Sequence, residues 1–183
     1  LGVINTIGLK DFIIFDLGGA STEVTLVKNR HIVKAVSLPI GALTLTGTYQ
    51  KGDEYTPKEL EKMTKAVKKT IKEHTWLQNI KLPLLGIGGT ARNIAKIDQR
   101  KLSYPITKLH NYELPYHRFH EILEDVKGKS LEARKKISGL SSDRADIIIA
   151  GLTIVDELFN YVNTKTLVVG GCGLREGLFY DYY

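Results

Sequence analysis

Residues 11–16, DFIIFD, form a short apolar run that fits a buried strand, and residues 22–28, TEVTLVK, alternate as a half-buried strand does. Asn29 and Arg30 make a short turn into a third run, HIVKAVSL. Pro39 and Gly41 break the pattern, and GALTLTGTY is expected to hold one or two helical turns before a polar loop. The period then becomes helical. Over residues 57–74, Leu60, Met63, Val67 and Ile71 fall on one face, with Thr56 as the cap and Pro57 as the first helical residue. KLPLLGIGGTARNIAKI reads as a strand around 83–87, a glycine turn, and a helix from about Thr90. Residues 100–114, with Tyr104 and Pro105, read as a loop; PYHRFHEILEDV is a short helix from Pro115, and a smaller one covers 130–137. From Ser142 the chain is apolar on nearly all sides between Ala145 and Phe159, which predicts a helix packed against several partners. KTLVVGG is a buried strand and CGLREGLFYDYY a closing helix.

Three sequential strands followed by strands joined through helices predict an α/β architecture: a five-stranded mixed sheet with helices on both faces. No repeat or linker divides the chain, so residues 1–183 are expected to form one domain. At 183 residues and 43% hydrophobic content it can bury one good core. It carries no apolar run long enough to span a bilayer and no signal-peptide pattern, so a soluble, cytoplasmic protein with no membrane partner is expected. Cys172 is the only cysteine, so no internal disulfide can form, and a small buried thiol in a reducing compartment is the economical reading. The formal net charge of +6 suits an anionic partner without selecting one. The chain opens at LGVINTIGLKDF with no initiator methionine, which leads us to expect a piece of a longer protein.

The chemistry concentrates in two glycine loops. In FDLGGASTEVTLV, Gly18 and Gly19 let successive amides point into one concavity, and the hydroxyls of Ser21 and Thr22 add donors. Asp16 and Glu23 flank the tip and could both approach a hydrated Mg²⁺ or another divalent cation. Phosphate with magnesium is the ligand such a tip suits, against the alternative of an ordinary Gly-Gly hairpin with a satisfied Asp turn. In GIGGTAR, Gly88, Gly89 and Thr90 lie between a strand and a helix, where backbone amides and the helix dipole favour an anion, and Arg92, one turn further on, could pair with phosphate or be a solvated helix residue. Gly86, Gly88 and Ala91 also fit a dinucleotide pattern, but no acidic residue follows at the ribose position, where the chain reads ITKLHNYEL.

The remaining features are weaker. His117 and His120 are spaced for a shared metal but lack a further ligand, which favours surface histidines. Lys58, Lys62, Lys65, Lys69 and Lys72 form a stripe that is either a solvated helix face or a polyanion track. Arg144 and Asp146 open the buried helix and read as capping or paired residues, with a place facing the site as the lesser alternative, and Arg175 and Glu176 read the same way.

Five blocks taken in order, DLGGASTEVTLV, SLPIGALTLT, GIGGTARNIAKI, RADIIIAGLTIVDELF and GGCGLREG, resemble the exopolyphosphatase and guanosine pentaphosphate phosphohydrolase family, Ppx/GppA. The resemblance implies an actin-like ATPase (ribonuclease H-like) fold of two similar domains with the active site in the cleft between them, this chain matching the second. It implies metal-dependent hydrolysis of terminal phosphoanhydride bonds by water, with polyphosphate or guanosine pentaphosphate as the substrate. DNA is not expected as a partner. By the same resemblance, Asp16, Gly18, Gly19, Ser21 and Glu23 belong to the phosphate and metal loop, Asp16 and Glu23 being catalytic and metal-holding, while Gly88, Gly89 and Thr90 form the other wall. The family's water-activating glutamate belongs to the first domain, which precedes residue 1, so this chain alone is expected to hydrolyse little. An actin-like kinase or chaperone-type ATPase domain, and a non-catalytic polyanion-binding module, stay open as alternatives. The tail LFYDYY could pack on a partner, as in a homodimer.

Overall fold

The computed structural model describes Ile4 and residues 6–103 and 108–171. Its centre is a six-stranded mixed sheet. The strands are β1 (Phe12–Leu17), β2 (Thr22–Lys28), β3 (His31–Leu38), β4 (Leu84–Ile87), β5 (Tyr112–Pro115) and β6 (Thr166–Val169). Their spatial order is β3-β2-β1-β4-β6-β5. Antiparallel pairing joins β1 to β2 and β2 to β3, while β1–β4 and β4–β6 run parallel.

The sixth strand corrects the expected five. β5 lies inside the stretch read as a loop, pairs antiparallel with β6 and ends at Pro115. Four residues ending in proline carry almost no strand signal, and an edge position is where a sheet tolerates one.

Among the described residues six α-helices connect the strands: α1 (Ala42–Tyr49), α2 (Pro57–Lys72), α3 (Gly88–Lys101), α4 (Tyr116–Lys127), α5 (Leu131–Lys135) and α6 (Ile148–Val162). Among the described residues all six contribute to one apolar cluster on one face of the sheet, against Ile13, Phe15, Leu17, Val24, Leu84 and Leu167. α6 is buried along nearly its whole length, as its all-round apolar sequence requires. On the opposite face Phe12, Val27, Leu85 and Val168 meet Ile4 and Ile7. The predicted closing helix with Cys172, Arg175, Glu176 and the tail lies outside the described residues, as do Tyr104 and Pro105. No helix among the described residues is long and apolar enough to cross a membrane.

α2 forms as its sequence predicts. Met63, Val67 and Ile71 are buried, Pro57 occupies the first turn, and Thr56 and Glu59 exchange cap hydrogen bonds in both directions. Thr56→Ala should therefore cost about 1 kcal/mol, read as a lowered urea midpoint with an unchanged slope.

Candidate functional site

The site begins with register. Pairing of β1 with β2 sets Asp16 opposite Glu23, and pairing of β2 with β3 sets Glu23 opposite Ser37. Directly opposed residues share a face, so Asp16, Glu23 and Ser37 form a row across three strands. Glu23 accepts hydrogen bonds from Ser21 Oγ at 2.7 Å and Ser37 Oγ at 2.9 Å, which order its carboxylate. Ser21 thus spends its hydroxyl proton on Glu23.

The hairpin tip is closed by the Gly18 amide donating to the Ser21 carbonyl at 2.9 Å. The carbonyls of Gly18 and Gly19 in turn accept from the first turn of α1: Ala42 N–H to Gly18 at 3.0 Å, and Leu43 and Thr44 N–H to Gly19 at 2.9 and 3.1 Å. In a trans peptide the carbonyl and the following N–H point in opposite directions. The amides of Gly19 and Ala20 are therefore turned away from α1, and among the described residues they donate to no protein acceptor. Gly41 permits this contact, because a Cβ there would stand 2.4 Å from the Gly19 carbonyl carbon and oxygen.

The second wall follows from parallel pairing of β1 with β4, which places Asp16 opposite Ile87, the residue before α3. Gly88 takes φ +85°, and a Cβ on it would lie 2.7 Å from Asp16 Oδ1. Only glycine meets both demands without strain. α3 has no side-chain N-cap, so its leading amides, at Gly88, Gly89 and Thr90, present unsatisfied donors and the positive end of the helix dipole beside that carboxylate.

Electrostatics sharpen the picture. Burial first, and the neighbouring Glu23 carboxylate second, push the Asp16 carboxyl above its ordinary value, while Arg92 pulls it back. Two carboxylates side by side, next to free amides and a guanidinium, supply hard oxygen donors for a divalent cation and hydrogen-bond donors for a phosphoryl group. Asp16 and Glu23 fit a hydrated Mg²⁺ by donor chemistry: the like-charge pair is the arrangement a cation relieves. No group of three or more His, Cys, Asp and Glu side chains suited to a metal occurs among the described residues, so water and phosphate oxygens would complete the shell. His120 is exposed and stacks on Tyr116 with ring centroids 5.8 Å apart.

Asp16, Gly18, Gly19, Ser21, Glu23, Gly88, Gly89 and Thr90 thus gather around the ends of β1 and β4. Arg92 is exposed one turn into α3, its Nε donating to the Gly88 carbonyl at 3.1 Å. Thr22 is a correction. It is fully buried and its hydroxyl donates to the Ile40 carbonyl at 2.7 Å, on the helix-covered face. Strand alternation requires this, since a row holding Asp16 and Glu23 sends Leu17 and Thr22 the other way. Thr90 brings its amide to the site, while its buried side chain packs against Gly151.

Sequence reasoning underrated two residues. Arg144, in a 3₁₀ turn over Ser142–Arg144, packs so closely on Gly89 that a Cβ there would fall 2.4 Å from the guanidinium carbon. Among the described residues this guanidinium forms no ion pair. It stands free beside the leading amides of α3. Asn93, 3% exposed, holds the arrangement together: its amide donates to the Gly89 carbonyl at 2.9 Å and its oxygen accepts from the Ser141 amide at 2.8 Å.

The chain is similar to known proteins. The sequence model of the Ppx/GppA phosphatase family matches residues 1–183. A bifunctional 3-dehydroquinate synthase/phosphatase of Fusobacterium nucleatum is 29% identical over 175 residues, covering 92% of this chain and 26% of that protein. Exopolyphosphatase 2 of Mycobacterium tuberculosis is 26% identical over 151 residues, covering 80% of this chain and 46% of its own length. A guanosine-5'-triphosphate,3'-diphosphate pyrophosphatase of Photobacterium profundum is 27% identical, covering 98% and 35%. The chain therefore spans a quarter to a half of the curated relatives it matches. The crystal structure of the Aquifex aeolicus Ppx/GppA phosphatase superposes with a TM-score of 0.88 at 27% identity, covering 99% of this chain and 60% of that one.

Proposed function

Because the chain belongs to the Ppx/GppA phosphatase family, with the actin-like ATPase-type fold of its solved members, we propose that it forms the phosphate-binding half of an enzyme that hydrolyses terminal phosphoanhydride bonds. Polyphosphate and guanosine pentaphosphate are the two substrates suggested by the relatives. The carrying observation is that two sets of undischarged backbone amides, Gly19–Ala20 after β1 and Gly88–Thr90 after β4, lie at the same end of the sheet as the Asp16–Glu23 pair.

In this reading the amides and the Arg144 guanidinium bind the oxygens of the terminal phosphoryl group and stabilise the charge that develops as the leaving oxygen departs. Asp16 and Glu23 would hold Mg²⁺, which supplies neutralisation of phosphate charge. Ser21 and Ser37 keep Glu23 oriented, and Gly88 lets Asp16 approach the helix terminus. The base that takes the proton from the attacking water comes from outside residues 1–183, from a domain that closes the cleft. Little of this chemistry is covalent, so positioning dominates.

Titration of tripolyphosphate with Mg²⁺ into the chain, followed by amide resonances, tests the reading. Gly19, Ala20 and Gly88–Thr90 should shift together. Arg144→Ala should weaken binding about tenfold or more, the effect of removing one charge-assisted contact. Shifts confined to the lysine face of α2, with those amides unmoved, would refute it.

A further inference from the structure

We infer that the groove between the C-terminal half of α3 and the turn at residues 138–141 is a second anion subsite, taking the distal phosphates of a linear polyphosphate whose terminal group lies at Gly88–Thr90. The inference rests on the phosphoanhydride reading and extends it to substrate class.

The groove has a volume of about 570 Å³ and is lined by Lys96, Gln99 and Arg100 of α3 and by residues 138–141, of which Leu140 is the apolar member, with no carboxylate among its lining residues. Neither Lys96 nor Arg100 makes an ion pair with a described carboxylate, whereas Lys65, Lys127, Lys129 and Lys135 each do. The Gln99 amide is buried and donates to the Lys108 carbonyl at 3.0 Å, which leaves two cations and two hydroxyls around one concavity without an acidic partner, a set that suits a polyanion.

Geometry ties this groove to the catalytic end. Arg92, Lys96 and Arg100 recur at intervals of four on α3 and so follow one face of the helix. From Gly89, Lys96 lies about 10 Å and Arg100 about 16 Å along the axis. Arg92 Nε donates to the Gly88 carbonyl at 3.1 Å, at the helix start that lies against Asp16. The stripe thus runs outward from the site as successive cations, in the manner of a track for a repeating anion.

The opposite wall of the groove is built to fit. Gly139 takes φ +95°, and a Cβ there would lie 2.6 Å from the Lys96 carbonyl carbon and oxygen, so the turn rests directly on α3 backbone. The same segment continues through Ser141, whose amide bonds Asn93, to Arg144 against Gly89. One stretch of chain forms the groove wall and delivers the guanidinium at the site. A triphosphate end would reach only the inner part; a long chain would engage both.

The test compares tripolyphosphate with long-chain polyphosphate for binding to the 183-residue chain, in the parent, in Lys96→Ala/Arg100→Ala and in Lys58→Ala/Lys62→Ala. The parent should bind the long chain at least about tenfold more tightly. The α3 variant should lose that gain and roughly one to two units of the salt-dependence slope, with tripolyphosphate affinity unchanged. All four substituted residues are exposed, so the variants should fold. Retention of the gain in the α3 variant, or its loss in the α2 variant alone, overturns the inference. Long-chain binding that needs Lys96 and Arg100, without tripolyphosphate binding, would uphold the groove and refute the cradle. Failure of the parent to bind either ligand refutes both.

Discussion

Asp16→Asn should sharply lower phosphate release and at the same time make the protein more stable at neutral pH. Both effects come from one circumstance, a carboxylate held where its charge is disfavoured. Burial and Glu23 raise its titration above the ordinary value, so the ionised form costs the folded state free energy that the unfolded chain does not incur. The sign follows directly. Below the unfolded carboxylate's range the group is protonated in both states and no penalty exists. The penalty grows as pH rises through the raised folded value and is complete above it. The melting temperature of the asparagine variant should therefore match the parent near pH 3 and exceed it at pH 8. Mg²⁺ should raise the parent's melting temperature and leave the variant's nearly unchanged, since the cation relieves the like-charge pair that the substitution has already removed. Phosphate release, assayed in a protein that also carries the closing domain, should fall about 10²- to 10³-fold or more, the scale of removing one preorganised electrostatic group. Equal stability at pH 8, with equal response to Mg²⁺, would show that Asp16 carries no such strain and holds no cation.

The carboxylate pair was legible in the sequence because a hairpin with a short tip fixes register locally: once Gly18 and Gly19 mark the turn, Asp16 and Glu23 must face each other. The same logic, applied fully, would have excluded Thr22, since alternate residues on a strand cannot share a face. Adjacency to the tip concealed that. Arg144 was legible only as the lesser of two readings. It reaches Gly89 only because the turn at 138–141 is laid on α3 and tied by Asn93, a contact between distant segments that no local period announces. The basic line on α3 was overshadowed by the denser lysine stripe on α2, which sequence alone cannot rank by position. β5 escaped because Asn111, in the left-handed region, and Pro115 bracket too few residues to show alternation.

Gly41 was visible in the sequence only as a break in pattern, yet Gly41→Ala should be among the most disruptive single-methyl changes available. The residue is extended, at φ −140° and ψ 165°, so alanine incurs no dihedral penalty there. The obstacle is space. The added Cβ would stand 2.4 Å from the carbonyl carbon and oxygen of Gly19 and 2.5 Å from the carbonyl carbon of Ala20. These are backbone atoms of a tight hairpin tip, with no rotamer through which to yield. Either the tip or the start of α1 must retreat, and with it go the bonds from Ala42, Leu43 and Thr44 to the Gly18 and Gly19 carbonyls. Overpacking together with loss of those bonds should cost about 3 kcal/mol. Gly47 supplies the comparison. It sits inside α1 with open space where its Cβ would be, so Gly47→Ala should stabilise by about 0.5–1 kcal/mol. Opposite signs from the same substitution six residues apart would separate a steric keystone from ordinary helix propensity. The tip amides then connect stability to function: with their carbonyls released from α1, Gly19 and Ala20 are free to rotate, and the preorganised donor pair is lost. At a temperature where the Gly41→Ala variant remains folded, tripolyphosphate should no longer shift those two amides, while the Gly47→Ala protein should respond as the parent does. A stable Gly41→Ala variant whose tip still answers the ligand would mean that α1 does not set the direction of the cradle, and the orientation would have to come from the hairpin alone.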